Sequence, residues 1–191
     1  PVLLQRTPYG KAFVQTSFML MAAERGYAVV SQDTRGRWAS QGEPYPFVSE
    51  KQDGYDTVEW CARQPWSDGQ VGMFGPSYMG HTQLAAASTH PPALKTIIPT
   101  VTFCDAHSTG YYGGAMRLGL SVTWNLIHQA FMPLAWRPLP DAEKMALGLQ
   151  LIAAVDGMAR GETFRHLPLA DMPVLGRGGM VQFMVDSMQH P

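Results

Sequence analysis

Val71-Gly72-Met73-Phe74-Gly75-Pro76-Ser77-Tyr78-Met79-Gly80 decides the fold, because it reads as an apolar strand running into a tight turn that carries an exposed serine. A helix-like, Ala-rich run from Tyr78 to Ser88 follows at once. A strand, serine, helix order of this kind lifts Ser77 Oγ clear of the sheet and leaves the next backbone N–H to hold an oxyanion. Small residues are needed two before the serine and just after it, where strand and helix backbones approach each other. Gly75 and Gly80 fill that need. The ordinary alternative is a serine capping a helix N-terminus. The apolar strand before the string and the Ala-rich helix behind it favour the nucleophile. One departure is visible: the commonest turn of this type has glycine two after the serine, where this chain has Met79.

Working outward, Val2-Leu3-Leu4-Gln5 is a short apolar strand that runs into a loop with two breakers, Arg6-Thr7-Pro8-Tyr9-Gly10-Lys11. Phe13 to Arg25 has helical spacing with Gly26 as its stop. Tyr27 to Asp33 is β-rich and enters a loop from Thr34 to Pro46. Glu50 to Gln64 is a two-faced helix, and Thr96 to Phe103 is a further strand. Alternation at this spacing predicts βαβ units around a mostly parallel sheet, an α/β fold. After Phe103 the texture changes. Gly110 to Gly119 is glycine-rich, and Leu120 to Phe131, Ala142 to Arg160 and Gly179 to Met188 read as helices without a Val/Ile-rich strand. Residues 1–103 and 104–191 are therefore expected to form separate units. Most of the twelve methionines fall in the second, as core gap-fillers or as the lining of an adaptable apolar pocket.

The chain of 191 residues is 46% hydrophobic, enough for a substantial core. Its formal charge is -1, from 14 basic and 15 acidic residues without a basic cluster, so it offers no electrostatic footprint for nucleic acid or an anionic membrane. No apolar run approaches the roughly 20 residues that span a bilayer. Two cysteines, Cys61 and Cys104, lack CxxC spacing and point to free thiols in a reducing, cytoplasmic setting. The six histidines, His81, His90, His107, His128, His166 and His190, show no metal-ligand spacing, and no glycine-rich loop has a phosphate-binding sequence. Neither metal nor cofactor is expected. Asp33 reads as a strand-end carboxylate pairing with a nearby Arg, Asp53 and Asp56 as charges sharing one helix face, and Trp60 and Trp66 as core or belt residues.

Thr7-Pro8-Tyr9-Gly10-Lys11, Gly26 to Gly36 (GYAVVSQDTRG), Asp53 to Trp60 (DGYDTVEW) and Gln64 to Gly72 (QPWSDGQVG) lead in order to Ser77. This succession resembles the cocaine esterase and X-Pro dipeptidyl-peptidase-like serine hydrolases of CocE/NonD type, a family that also contains cephalosporin acylases and α-amino acid ester hydrolases. The likeness covers most of residues 1–103. Gly-x-Ser-Tyr-x-Gly is that family's own form of the turn. The resemblance implies an α/β-hydrolase core with an inserted helical cap and a nucleophile at Ser77. It also implies two oxyanion donors, the backbone N–H of Tyr78 and the hydroxyl of Tyr9. Small esters, amides or short peptides are the implied substrates, and which of these is taken stays open, as does the oligomeric state.

A triad also needs an acid and a base after the serine. Asp105, His107, Asp186 and His190 are the available residues, but each lies in or beside the cap-like region, and none is expected to serve. The chain, which begins at Pro1 rather than a methionine, is expected to be a fragment that lacks its native start and stops inside the cap, with the triad acid and base beyond it. A catalytically dead, hydrolase-like binding module is the alternative.

Overall fold

The computed structural model describes residues 1–177 and 181–189. Two compact units divide the chain, Pro1–Cys104 and Asp105–Pro191.

The first unit is built on four parallel strands, β1 (Val2–Thr7), β2 (Ala28–Asp33), β3 (Val71–Pro76) and β4 (Leu94–Thr100), in the order β2-β1-β3-β4. The two central strands are buried along nearly their whole length, whereas β4 alternates between half-buried and exposed positions, as an edge strand does. Three helices accompany them: α1 (Ser17–Glu24), α2 (Glu50–Ala62) and α3 (Tyr78–Ala87). Val58 and Cys61 of α2 and Ala86 of α3 close over Val2, Leu4, Val71 and Met73 to make the core. The helices touch closely, since a Cβ placed on Gly54 would lie 2.7 Å from Cβ of Ala86.

Parallel strands joined through helices follow the sequence pattern, and the differences lie at element ends. Helix α1 starts at Ser17 rather than Phe13, because the N–H groups of Phe13 and Val14 both bond back to Gly10 O and close a separate turn. Strand β4 stops at Thr100, because Val101 adopts a φ of 46° that ends the extended backbone. Trp60 and Trp66 are not core residues. Both are half-exposed, with rings packed edge to face at 6.2 Å.

In the second unit Asp105 caps α4 (Ala106–Gly110) through the N–H groups of His107 and Ser108. A hairpin follows, β5 (Tyr111–Tyr112) and β6 (Ala115–Met116), where a loop without strand was expected. Gly113 and Gly114 make it possible, since both central residues of its turn have positive φ, 58° and 82°. Helix α5 (Leu118–Trp124) continues through a π-helical turn, Asn125–Phe131, into a 3-10 turn, Met132–Trp136. The long helix α6 (Asp141–Ala159) and α7 (Gln182–Gln189) complete the unit, the latter shorter than the expected run from Gly179, whose first two residues lie outside those described. Val122, Leu126, Leu151, Met172, Leu175 and Met184 form its core, so at least two methionines are gap-fillers. Among the described residues no helix is long and apolar enough to cross a membrane.

Candidate active site

Ser77 sits between β3 and α3 with φ 58° and ψ -128°, a backbone conformation that a residue with a side chain holds only under strain. Its neighbours over-determine it. The Ser77 N–H donates to Thr100 O at 3.0 Å, and Ser77 O accepts from the N–H groups of Gly80 (2.9 Å) and His81 (3.1 Å) and from Thr102 Oγ1 (2.7 Å). The side chain is exposed and makes no capping bond to the helix behind it. That removes the ordinary capping role and leaves a hydroxyl raised on a sharp turn.

The glycines explain the departure at Met79. Gly75 has φ 129°, and a Cβ on it would lie 2.7 Å from Cβ of Met79, so the turn closes against the methionine stem. A Cβ on Gly80 would lie 2.6 Å from Cβ of Thr102, where the chain leaving β4 crosses the first turn of α3. The close approach on this side thus falls three residues after the serine, and the glycine falls with it. Gln83, fully buried, stitches the turn to the sheet by donating to Gly75 O (2.9 Å) and Met79 O (3.0 Å) and accepting from the Ile98 N–H (2.9 Å).

Tyr9 leaves the C-terminal end of β1 in a loop braced from several sides. Its N–H donates to Thr7 Oγ1 at 3.0 Å, the indole N–H of Trp38 donates to Pro8 O at 3.1 Å, and Asp33 accepts from the Lys11 N–H at 2.6 Å. Asp33 therefore braces a loop as expected, but its cationic partner is Lys11 Nζ at 3.6 Å rather than Arg35. Arg35 pairs instead with Asp53. The rings of Tyr9 and Tyr78 meet edge to face with centroids 6.4 Å apart. The fold thus gathers Tyr9 beside the residue that follows Ser77. Tyr78 opens α3, and its N–H belongs to the amides that a helix cannot bond internally.

The Tyr78 side chain points to a different task. Its hydroxyl donates to Glu50 Oε1 and accepts from the Phe47 N–H, both at 2.9 Å, and burial followed by the Glu50 charge raises its pKa well above the ordinary phenol range. Glu50 and its partner Arg6 escaped the sequence reading, since a charged residue without a motif reads as solvated surface. One turn beyond Ser77, His81 stacks on Phe103 (4.9 Å) and meets Phe47 edge to face (5.2 Å). Burial lowers its pKa below the ordinary imidazole range.

The other acids and bases are engaged elsewhere. Asp105 is spent on its helix cap, which holds its carboxyl below the ordinary range, and His107 stacks on Tyr111 at 5.2 Å. Asp186 accepts from Gln182 Nε2 at 2.7 Å, and His190 lies outside the described residues. Among the described residues no histidine hydrogen-bonds Ser77 Oγ, and no group of three acidic, histidine or cysteine side chains is arranged to hold a metal.

A sequence profile of the X-Pro dipeptidyl-peptidase (S15) family matches residues 1–171. The cocaine esterase of Rhodococcus sp. (strain MB1 Bresler) is 37% identical over 199 aligned residues, which cover 100% of this chain and 34% of that protein. Among solved structures, an aminopeptidase from the marine sediment archaeon Thaumarchaeota archaeon is similar with a TM-score of 0.55 at 27% identity, over 84% of this chain and 32% of that one. A CocE/NonD family hydrolase from Staphylococcus aureus shares the fold with a TM-score of 0.56 at 24% identity, over 90% and 34%. The fold is that of the α/β-hydrolases. The chain spans about a third of the length of these relatives.

Proposed function

The chain belongs to the X-Pro dipeptidyl-peptidase (S15) family, and from that premise we propose that it carries the nucleophile and both oxyanion donors of a serine hydrolase acting on a small ester, amide or short peptide. The observation that carries the reading is Ser77: exposed, strained, and without a capping bond. Its Oγ attacks the substrate carbonyl carbon as a base takes the hydroxyl proton. The carbonyl oxygen becomes an oxyanion between the Tyr9 hydroxyl and the Tyr78 N–H, the latter reinforced by the positive end of α3. Collapse expels the alcohol or amine with that proton and leaves an acyl-enzyme, which water cleaves. Among the described residues no acid and base pair stands beside Ser77, and the second unit, residues 105–191, is read as part of a helical cap.

Fluorophosphonate labelling tests the assignment in a protein that contains this chain. One serine should be labelled, Ser77→Ala should abolish labelling, and Tyr9→Phe should lower kcat by roughly ten- to a thousandfold with little change in KM, as loss of one oxyanion donor does. Labelling that survives Ser77→Ala overturns the nucleophile. A protein that takes no label at all supports the binding-module reading instead.

A further inference from the structure

Behind the oxyanion donors lies a buried ionic cluster that the hydrolytic step does not use. Glu50 is 4% exposed, Arg6 1% and Tyr78 4%. Both carboxylate oxygens of Glu50 are occupied: Oε1 accepts from the Tyr78 hydroxyl at 2.9 Å, and Oε2 accepts from Arg6 Nη1 at 2.8 Å. Arg6 is held on its other side by Gln32 Oε1 at 2.8 Å, with Asp53 at 3.8 Å. Glu50 is itself the first residue of α2, where a helix favours a carboxylate.

The cluster connects the supports of both donors. Arg6 stands on β1 three residues before Tyr9, and Arg6 O also accepts from Thr82 Oγ1 of α3 at 3.3 Å. Tyr78 carries the second donor on its own backbone, and its ring stacks on Phe47 at 4.9 Å while its hydroxyl takes the Phe47 N–H. Stability is a poor reason for such a cluster, because a buried ion pair is often no better than apolar residues of the same volume. A phenylalanine at position 78 would fill the same space. What the hydroxyl adds is a fixed orientation for the first residue of α3, and through Arg6 the same carboxylate fixes the root of the Tyr9 loop.

We propose that Glu50 is a positioning residue for the oxyanion site, holding the Tyr78 backbone N–H and the Tyr9 loop in register through the Tyr78 hydroxyl and Arg6. The inference rests on the hydrolase reading above. It is tested by the inhibition constant of a phenyl trifluoromethyl ketone, whose Ser77 adduct would place an oxyanion in the site, alongside kcat and KM on an activated ester. In a protein containing this chain, Tyr78→Phe should weaken the inhibitor and lower kcat by a matching factor of about ten, with KM within about twofold, as loss of transition-state alignment requires. Glu50→Gln should do the same, and the double variant should add little, because the two act as one unit. If Glu50→Gln does not fold, Tyr78→Phe alone decides. A Tyr78→Phe protein that still labels at Ser77 and shows only a lowered Tm, with inhibitor affinity and kcat unchanged, overturns the inference and leaves the nucleophile standing. An unmodified protein that takes no label overturns both.

Discussion

At Ser77 a strained φ of 58° costs on the order of 1–3 kcal/mol, and four backbone-directed hydrogen bonds together with two glycine contacts hold it there. The strain keeps Oγ off the helix that would otherwise use it as a cap. One turn later His81 is 9% exposed among aromatic rings, with Nδ1 unpartnered, and its burial disfavours the charged ring. Its folded pKa is depressed, so the unfolded chain binds a proton first as pH falls. The stability it permits is full above the unfolded value near 6.5 and is lost as pH drops from there toward the lower folded value. Thermal melts at pH 7.5 and 5.5 should therefore show a fall in Tm that shrinks in His81→Gln. An identical fall in both proteins would place the pH dependence elsewhere. Ser77 and its glycines were legible in the sequence because a tight turn admits few residue types. Glu50 and Arg6 were not, because their partners stand 44 positions apart and a lone charge carries no trace of burial.

Among the elements, the contact between α2 and α3 sets where the Ser77 turn sits, because Ser77 immediately precedes α3. Gly54 and Ala86 meet there without room for another carbon. Gly54→Ala should destabilise by about 1–3 kcal/mol through overpacking, in spite of alanine's better helix propensity. Ala86→Gly alone should cost about 1 kcal/mol, yet in the Gly54→Ala background it should cost less or restore stability. Urea unfolding of the four proteins measures the coupling, and strictly additive losses would mean that the helices adjust freely. Element type was readable wherever an apolar run met a breaker, as at β1, β2 and β3. Boundaries failed where a local backbone choice outweighed pattern: the turn after Gly10 delays α1, and the positive φ of Val101 cuts β4 short. The hairpin after Gly110 was invisible as strand, since its strands are two residues long and its evidence was a pair of glycines.

For the whole chain, the decisive point is that the proposed nucleophile, Ser77, and the proposed oxyanion donors at Tyr9 and Tyr78 have no histidine bonded to Ser77 Oγ among the described residues. Residues 1–191 expressed alone should turn over p-nitrophenyl esters at only the residual rate that binding and an oxyanion site provide, because a serine hydroxyl whose proton has no acceptor is a weak nucleophile at neutral pH. His81 does not fill the gap: it is engaged in ring stacking and makes no bond to Ser77 Oγ. The same 191 residues present apolar surface at Leu20 and Met21 of α1, Ile98 of β4, and Met145, Leu149 and Ile152 of α6, with β2 and β4 as open sheet edges. Exposed apolar stripes and unpaired edges promote self-association. Gel filtration of the isolated residues should accordingly show oligomers or aggregate, and ester turnover should be little changed by Ser77→Ala. A monodisperse protein with rapid, Ser77-dependent turnover would mean that the base lies within the chain, and His81, as the histidine one turn from the nucleophile, would be the first residue to substitute.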